Sequence, residues 1–181
     1  METVYIETSV ISYLVADPSR DLVTAANQQV TRDWWQRRRA SFACLASQEV
    51  VIEASRGDLE QVRRRLAVLA ALPRAAVSAD AQELARLFLS TGCLPPKAAR
   101  DAVHLAVATA IAADYLLTWN CRHLANAQIL KRLEREARRA GRPWPHVCTP
   151  LELMGDLPYE NESASGIALA GERRPGARSG L

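Results

Sequence analysis

The chain has 181 residues, a formal net charge of +3, and a composition of 49% hydrophobic and 24% charged residues. This length suits one domain whose core needs no disulfide or structural metal, and the composition excludes a disordered chain. The four cysteines include no CxxC pair, which excludes a zinc knuckle and predicts buried, reduced thiols at Cys44, Cys93, Cys121 and Cys148. Without a signal-peptide pattern or a long apolar run, we expect a cytoplasmic protein with no membrane contact.

The first half of the chain alternates short apolar runs with helical patterns. Thr3–Ile6 is a predicted buried strand, and the hydroxyls of Thr8 and Ser9 are expected to cap a helix that continues to Val15. The elements predicted next are a helix over 22–39, a strand over 41–45, a helix over 48–56 that Gly57 ends, and a helix from Asp58 that ends before Pro73.

The second half continues the alternation and completes a fold prediction. The predicted elements are a helix over 80–90, a break at 92–96, an alanine-rich helix over 98–113, a strand over 115–118, a charged helix over 126–140, a strand near Val147 and a turn over 150–154. Strands separated by helices favour a three-layer α/β/α domain with a central, mainly parallel sheet. We assign residues 1–157 to this domain and 158–181, which hold half of the eight glycines, to a flexible tail.

Polar residues at the predicted carboxyl ends of the strands are the candidate site, because ligands bind at that edge of an open parallel sheet. Glu7 follows the first strand, Glu53 lies in the helix after the second, and Asn120 follows the third. Asp101 joins them from the first turn of the alanine-rich helix, where the helix dipole favours an ionised carboxylate. Glu49 shares a helix face with Glu53 and stays an alternative for the second acid.

Carboxylates grouped in this way predict a metal site. Mg²⁺ and Mn²⁺ prefer hard oxygen ligands, and Mg²⁺ takes only one or two carboxylates while it keeps several waters. A metal so held neutralises a phosphate, orients water and lowers the pKa of that water. The pattern therefore predicts phosphodiester hydrolysis without a serine, cysteine or histidine nucleophile.

Four segments, VYIETSV, VVIEASRGD, ARDAVHLAVA and ADYLLTWNCRHLAN, resemble the signature segments of PIN domains and span residues 4–126. The resemblance is to VapC-like members, the toxins of type II toxin–antitoxin systems. It implies a Mg²⁺- or Mn²⁺-dependent endoribonuclease that acts on RNA, forms a homodimer and is inhibited by a cognate antitoxin. It also implies Glu7, Glu53 and Asp101 as metal ligands, with Asn120 at a fourth catalytic position.

Further assignments surround these four residues. Thr8 or Ser9 matches the hydroxyl of the first motif, and His123 lies in a loop where it can contact phosphate, so we predict all three as substrate-binding residues. His104 lies three residues after Asp101 and is expected to make structural hydrogen bonds beside the site. Asp114 is expected to begin the third strand rather than to bind metal.

Two departures from the family pattern leave an alternative open. Glu7 is one methylene longer than the usual aspartate, and Asn120 offers a carbonyl oxygen without charge. The alternative is a catalytically degenerate PIN domain that binds RNA or protein without cutting. A scaffold whose arginine-rich helices pair with an acidic partner is compatible with either reading, whereas the absence of GxGxxG and GxxxxGK[ST] motifs excludes the common nucleotide-binding classes.

Arginine clusters and a tryptophan pair complete the candidates. The clusters at 37–39, 63–65 and 138–139 fit an anionic partner, although solvated helix faces are the simpler interpretation. Trp34 and Trp35 can stack on unpaired bases, but a core or dimer contact is the preferred interpretation.

Overall fold

The computed structural model describes residues 1–155, so the predicted boundary at 157 and the predicted tail lie outside the described residues. The strands are β1 (Thr3–Ile6), β2 (Ala43–Ser47), β3 (Arg74–Ala75), β4 (Tyr115–Leu117) and β5 (His146–Cys148). The helices are α1 (Thr8–Val15), α2 (Leu22–Arg37), α3 (Gln48–Ala54), α4 (Leu59–Ala70), α5 (Ala79–Ser90), α6 (Ala99–Ala110) and α7 (Ala127–Arg139).

The five strands form one parallel sheet in the order β3-β2-β1-β4-β5. Helices α1 to α4 contact one another, as do α5 to α7, and right-handed crossovers place the two groups on opposite faces of the sheet. The predicted three-layer α/β/α architecture is therefore confirmed. The strand order reverses between β1 and β4, so the carboxyl ends of these two strands flank the switch point where ligands bind in open α/β sheets.

The core lies around β1 and α6. Val4, Tyr5 and Ile6 of β1 are fully buried, which a central strand covered on both faces requires. Alanines give α6 a small radius that permits close packing against the sheet. The helix ends at Ala110 rather than at 113 because Ala112 adopts a left-handed backbone (φ 52°) and the Ala113 N–H donates to the Ala108 carbonyl at 2.9 Å.

Other boundaries also differ from the predictions. A 3₁₀ turn at Arg39–Ser41 ends α2 early and shifts β2 by two residues from the predicted 41–45. Strand β3 was not predicted, because two residues carry no periodicity; this strand is defined by its pairing with β2.

The tryptophan pair belongs to the fold interior. Trp34 is fully buried and its indole N–H donates to the Leu153 carbonyl at 3.1 Å, while Trp35 is half-buried beneath the Arg39 guanidinium. Base stacking by Trp34 is therefore excluded, and the predicted core contact is confirmed.

All four cysteines are free thiols, as predicted, but their burial differs from the prediction. Cys44 and Cys148 are buried, and burial raises the pKa of the first to about 11 and of the second to about 12. Cys93 is only half-buried, and Cys121 is exposed because it lies in the loop after β4. Among residues 1–155, no helix combines the length and apolar character needed to cross a bilayer.

Candidate functional site

Glu7 lies at the carboxyl end of β1 and is only 5% exposed. Its Oε2 atom accepts hydrogen bonds from the Ser9 N–H at 3.1 Å, from the Ser9 hydroxyl, and from the Thr118 hydroxyl at 2.8 Å. Glu7 is thus the N-cap of α1, and the predicted capping by Thr8 and Ser9 is wrong. The Glu7 side chain folds over the first turn of α1. The hydroxyls of Thr8 and Ser9 therefore donate to carboxylates, that of Thr8 to Glu53 and that of Ser9 to Glu7.

Glu53 lies in the last turn of α3 and faces the same space. Its Oε2 atom accepts from the Thr8 hydroxyl and from the His104 Nε2–H at 2.9 Å, and its Oε1 atom is 3.7 Å from an Arg100 guanidinium nitrogen. Burial raises the pKa of Glu53, but the hydrogen bonds and charges of these neighbours outweigh it and hold the pKa below its usual value. The carboxylate is therefore ionised at neutral pH.

His104 connects Glu53 to the core. The imidazole is 1% exposed, and its Nδ1 atom is 2.8 Å from the Tyr5 hydroxyl, which lies 2.7 Å from the Ser47 hydroxyl. Burial lowers the pKa of His104, but the hydrogen bond to Glu53 and the charges of nearby carboxylates raise it above its usual value. This buried chain fixes the imidazole, and through it the carboxylate.

Glu7, Glu53 and His104 form a close set in which one ligand atom from each lies within 4.8 Å of the others. The two carboxylates are oxygen donors that suit a divalent cation, whereas both imidazole nitrogens of His104 already contact Glu53 and Tyr5. The Oε1 atom of Glu7 makes no hydrogen bond within residues 1–155 and is not sealed from solvent. The residues present therefore fit a metal ion.

Asp101 lies next to this set without joining it. Its Oδ1 atom accepts from the Asn120 amide at 2.9 Å, and its Oδ2 atom accepts from the His123 Nδ1–H at 2.8 Å. Asn120 in turn accepts at its side-chain oxygen from the His123 backbone N–H at 3.2 Å. The structure thus groups the three predicted residues of the α6 terminus and the β4 loop into one hydrogen-bonded cluster.

Glu49 occupies a different position from Glu53. One of its oxygens is 3.4 Å from the Arg100 guanidinium, and it is absent from the close set with Glu7. The geometry therefore favours Glu53 as the second acid, although both carboxylates share the positive charge of Arg100.

Four residues that position the acids were not predicted as site residues: Tyr5, Ser47, Arg100 and Thr118. Ser47 and Thr118 end or follow predicted strands at the same edge as Glu7, and this position is a signal that could have identified them. The pairing of Tyr5 with His104 joins residues 99 positions apart and has no local signal in the sequence.

No family model and no curated protein matches the chain in sequence. Among solved structures, the chain is similar to one from a crystal structure of VapBC2 from Rickettsia felis bound to a DNA fragment from their promoter. The TM-score is 0.54 at 15% identity, and the match covers 81% of this chain and 98% of that chain. The fold is PIN-like. At this identity the similarity shows the fold alone.

Proposed function

We propose that this PIN-like chain is a divalent-metal-dependent endoribonuclease and the toxin of a toxin–antitoxin pair. The observation that carries the proposal is the close approach of Glu7, Glu53 and His104, within 4.8 Å, at the switch point of the sheet. Two carboxylates held this close and partly out of water need positive charge nearby, which Arg100 supplies in part and a bound cation would complete. The two glutamates thus offer the negative charge that a nuclease metal requires.

Glu7 and Glu53 are the proposed ligands, with Asp101 as the third acid at the rim. A divalent ion there supplies an activated water and neutralises developing phosphate charge. Thr8 and Ser9 orient the two glutamates, while Asn120 and His123 hold Asp101. Mg²⁺ or Mn²⁺ is the proposed metal, because both prefer oxygen ligands.

RNA is the proposed substrate, and a cationic group beside the acids supports it, since the Arg100 side chain is 38% exposed and borders Glu49 and Glu53. His123, which holds Asp101 at the rim of the site, stays the proposed phosphate contact. A cognate antitoxin, a homodimer and a cytoplasmic location complete the proposal. The similarity in fold to the chain from the VapBC2 structure supports the antitoxin partner by analogy.

The test is cleavage of a mixed cellular RNA pool by purified protein with Mg²⁺, Mn²⁺ or EDTA. Asp101→Asn is expected to lower the rate of RNA cleavage at least about a hundredfold without unfolding the protein, because the negative charge of a proposed metal ligand is lost. Asp114→Asn is the matched control, since Asp114 lies at the opposite edge and accepts from the Thr3 N–H. Normal cleavage by Asp101→Asn contradicts the acid-cluster mechanism.

A wild-type protein that cuts no RNA under any of these conditions would instead favour the degenerate PIN domain. One observation favours that second function: Asn120 donates its amide to Asp101, so the fourth position adds a donor where an acid would add negative charge. RNA binding without hydrolysis would then be the activity to measure.

A further inference from the structure

Helix α7 presents a strongly cationic face to solvent. Its five cationic side chains are exposed, namely Lys131, Arg132, Arg135, Arg138 and Arg139. Only two carboxylates, Glu134 and Glu136, lie on the same helix, so its surplus of three positive charges equals the formal net charge of the whole chain. Leu133 and Ala137 are buried and anchor the opposite side of the helix.

The other arginine clusters of the sequence are largely used within the fold. Arg39 lies over the Trp35 ring at 4.8 Å, Arg64 pairs with Asp17 at 2.8 Å, and Arg65 donates to the Ala54 carbonyl at 3.0 Å. These contacts occupy the guanidinium groups in structural roles. They leave α7 as the stronger candidate for an anionic partner.

The cations of α7 are available to a ligand. Lys131 and Arg132 have no carboxylate partner within residues 1–155. Arg135, Arg138 and Arg139 pair with Glu134 or Glu136, but these largely exposed pairs contribute little stability and can exchange for phosphate.

The helix begins beside the proposed site and leads away from it. His123 contacts Asp101, and Asn126 caps α7 three residues later. The helix then returns from the carboxyl end of β4 toward the amino end of β5. Its first turn, residues 127–130, carries no cation, and the cations from Lys131 to Arg139 extend over about 12 Å at a rise of 1.5 Å per residue. A strand leaving the site thus passes one uncharged turn and then meets cations along the rest of the helix.

Shape and composition distinguish the partner. A recess of about 400 Å³ between α5 and α7 has two cations and one carboxylate in its lining, which consists of Arg132, Arg135, Glu136, Ser90, Thr91, Leu87 and Cys93. The large hydrophobic residues that are exposed in the described part of the chain all lie outside α7. Protein interfaces are centred on apolar and aromatic anchors, whereas phosphate contacts need only charge and hydrogen-bond donors. The face therefore fits a polyanion better than a protein.

We propose that the exposed face of α7 is the docking surface for the RNA strand that flanks the bond to be cleaved. The identity of the polyanion as RNA rests on the proposed function. The contacts are to phosphates, so this surface contributes affinity and strand path and carries no base specificity.

The test measures binding of a fluorescein-labelled 20-nucleotide single-stranded RNA of mixed sequence to the full chain in EDTA, across a salt series. Lys131→Ala/Arg135→Ala removes two cations from one stripe of α7. We expect at least about tenfold weaker binding and a salt slope reduced by about 1.4, since each lost phosphate contact on a single strand contributes about 0.7. Arg20→Ala/Arg63→Ala removes the same charge from exposed sites away from α7 and is expected to change neither quantity.

Equal losses in the two double variants would show a net-charge effect and overturn the proposal, as would unchanged binding by the α7 variant. If Lys131→Ala/Arg135→Ala still bound RNA normally but no longer bound a purified acidic protein partner, the α7 face would be a protein-binding surface instead. Because binding is measured without metal, selective loss in the α7 variant supports this surface even if the wild type proves unable to cleave RNA. Failure of the nuclease proposal and failure of this one are therefore distinguishable.

Discussion

The two edges of the sheet carry similar residues in different settings. At the amino edge, the Thr3 N–H donates to Asp114 at 2.7 Å and the Tyr115 hydroxyl donates to Glu2 at 3.0 Å, beside a cavity of about 600 Å³. Glu2 and Asp114 are exposed, and each accepts a hydrogen bond from a strand residue. These acids are structural, although the cavity beside them is large.

At the carboxyl edge the acids are less exposed, and two of them lie in one close set. Glu7 is almost completely buried, and Glu53 contacts a histidine that is itself buried. The cost of keeping two such carboxylates ionised is offset by hydroxyls, an imidazole and Arg100. Clustering and burial of the acids, rather than cavity size, therefore distinguish the candidate site.

The largest difference between the edges is expected from removal of one acid at each. Glu53→Gln should abolish metal-dependent stabilisation, because it removes a ligand charge while it keeps the side-chain volume. In the wild type, a metal concentration a hundredfold above its Kd should raise the Tm by roughly 5–10 °C. Thermal unfolding with and without Mn²⁺ measures this rise.

Glu2→Gln is the control at the amino edge and should keep the full rise in Tm. An unchanged metal response in Glu53→Gln would place the metal elsewhere. If both variants lost the rise in Tm equally, metal binding would depend only on the overall charge of the protein.

The two tyrosine hydroxyls give the next largest difference. Tyr5→Phe removes the buried hydroxyl that contacts both the Ser47 hydroxyl and the His104 Nδ1 atom, and it should lower the free energy of unfolding by about 1–3 kcal/mol. Tyr115→Phe removes only a contact to the exposed Glu2 and should cost less than about 0.5 kcal/mol. Urea denaturation of both variants provides the measurement, and equal costs would show that the buried chain adds nothing to stability.

The smallest expected effect separates the two acids of α3. Glu49→Gln leaves Glu7, Glu53 and His104 in place and removes only a contact to Arg100, so RNA cleavage should fall less than about tenfold. Cleavage rates of Glu49→Gln and Glu53→Gln, compared under the same Mn²⁺ conditions, decide between them. A greater loss for Glu49→Gln would reverse the assignment of the second acid.

The sequence by itself determined the alternation of strands and helices, the parallel sheet and the edge at which Glu7, Glu53 and Asn120 collect. These features follow from hydrophobic periodicity and from breaks such as Gly57, which are local. Chain order then places polar residues that follow strands at one edge of a parallel sheet.

Only the tertiary structure decided how these residues are arranged. It paired β3 with β2, capped α1 with Glu7, and placed His104 rather than Asp101 in the close set with the two glutamates. The physical reason is that side-chain contacts across the sheet depend on register and on the depth of each helix. Residues far apart in sequence, such as Tyr5 and His104, carry no local signal of either.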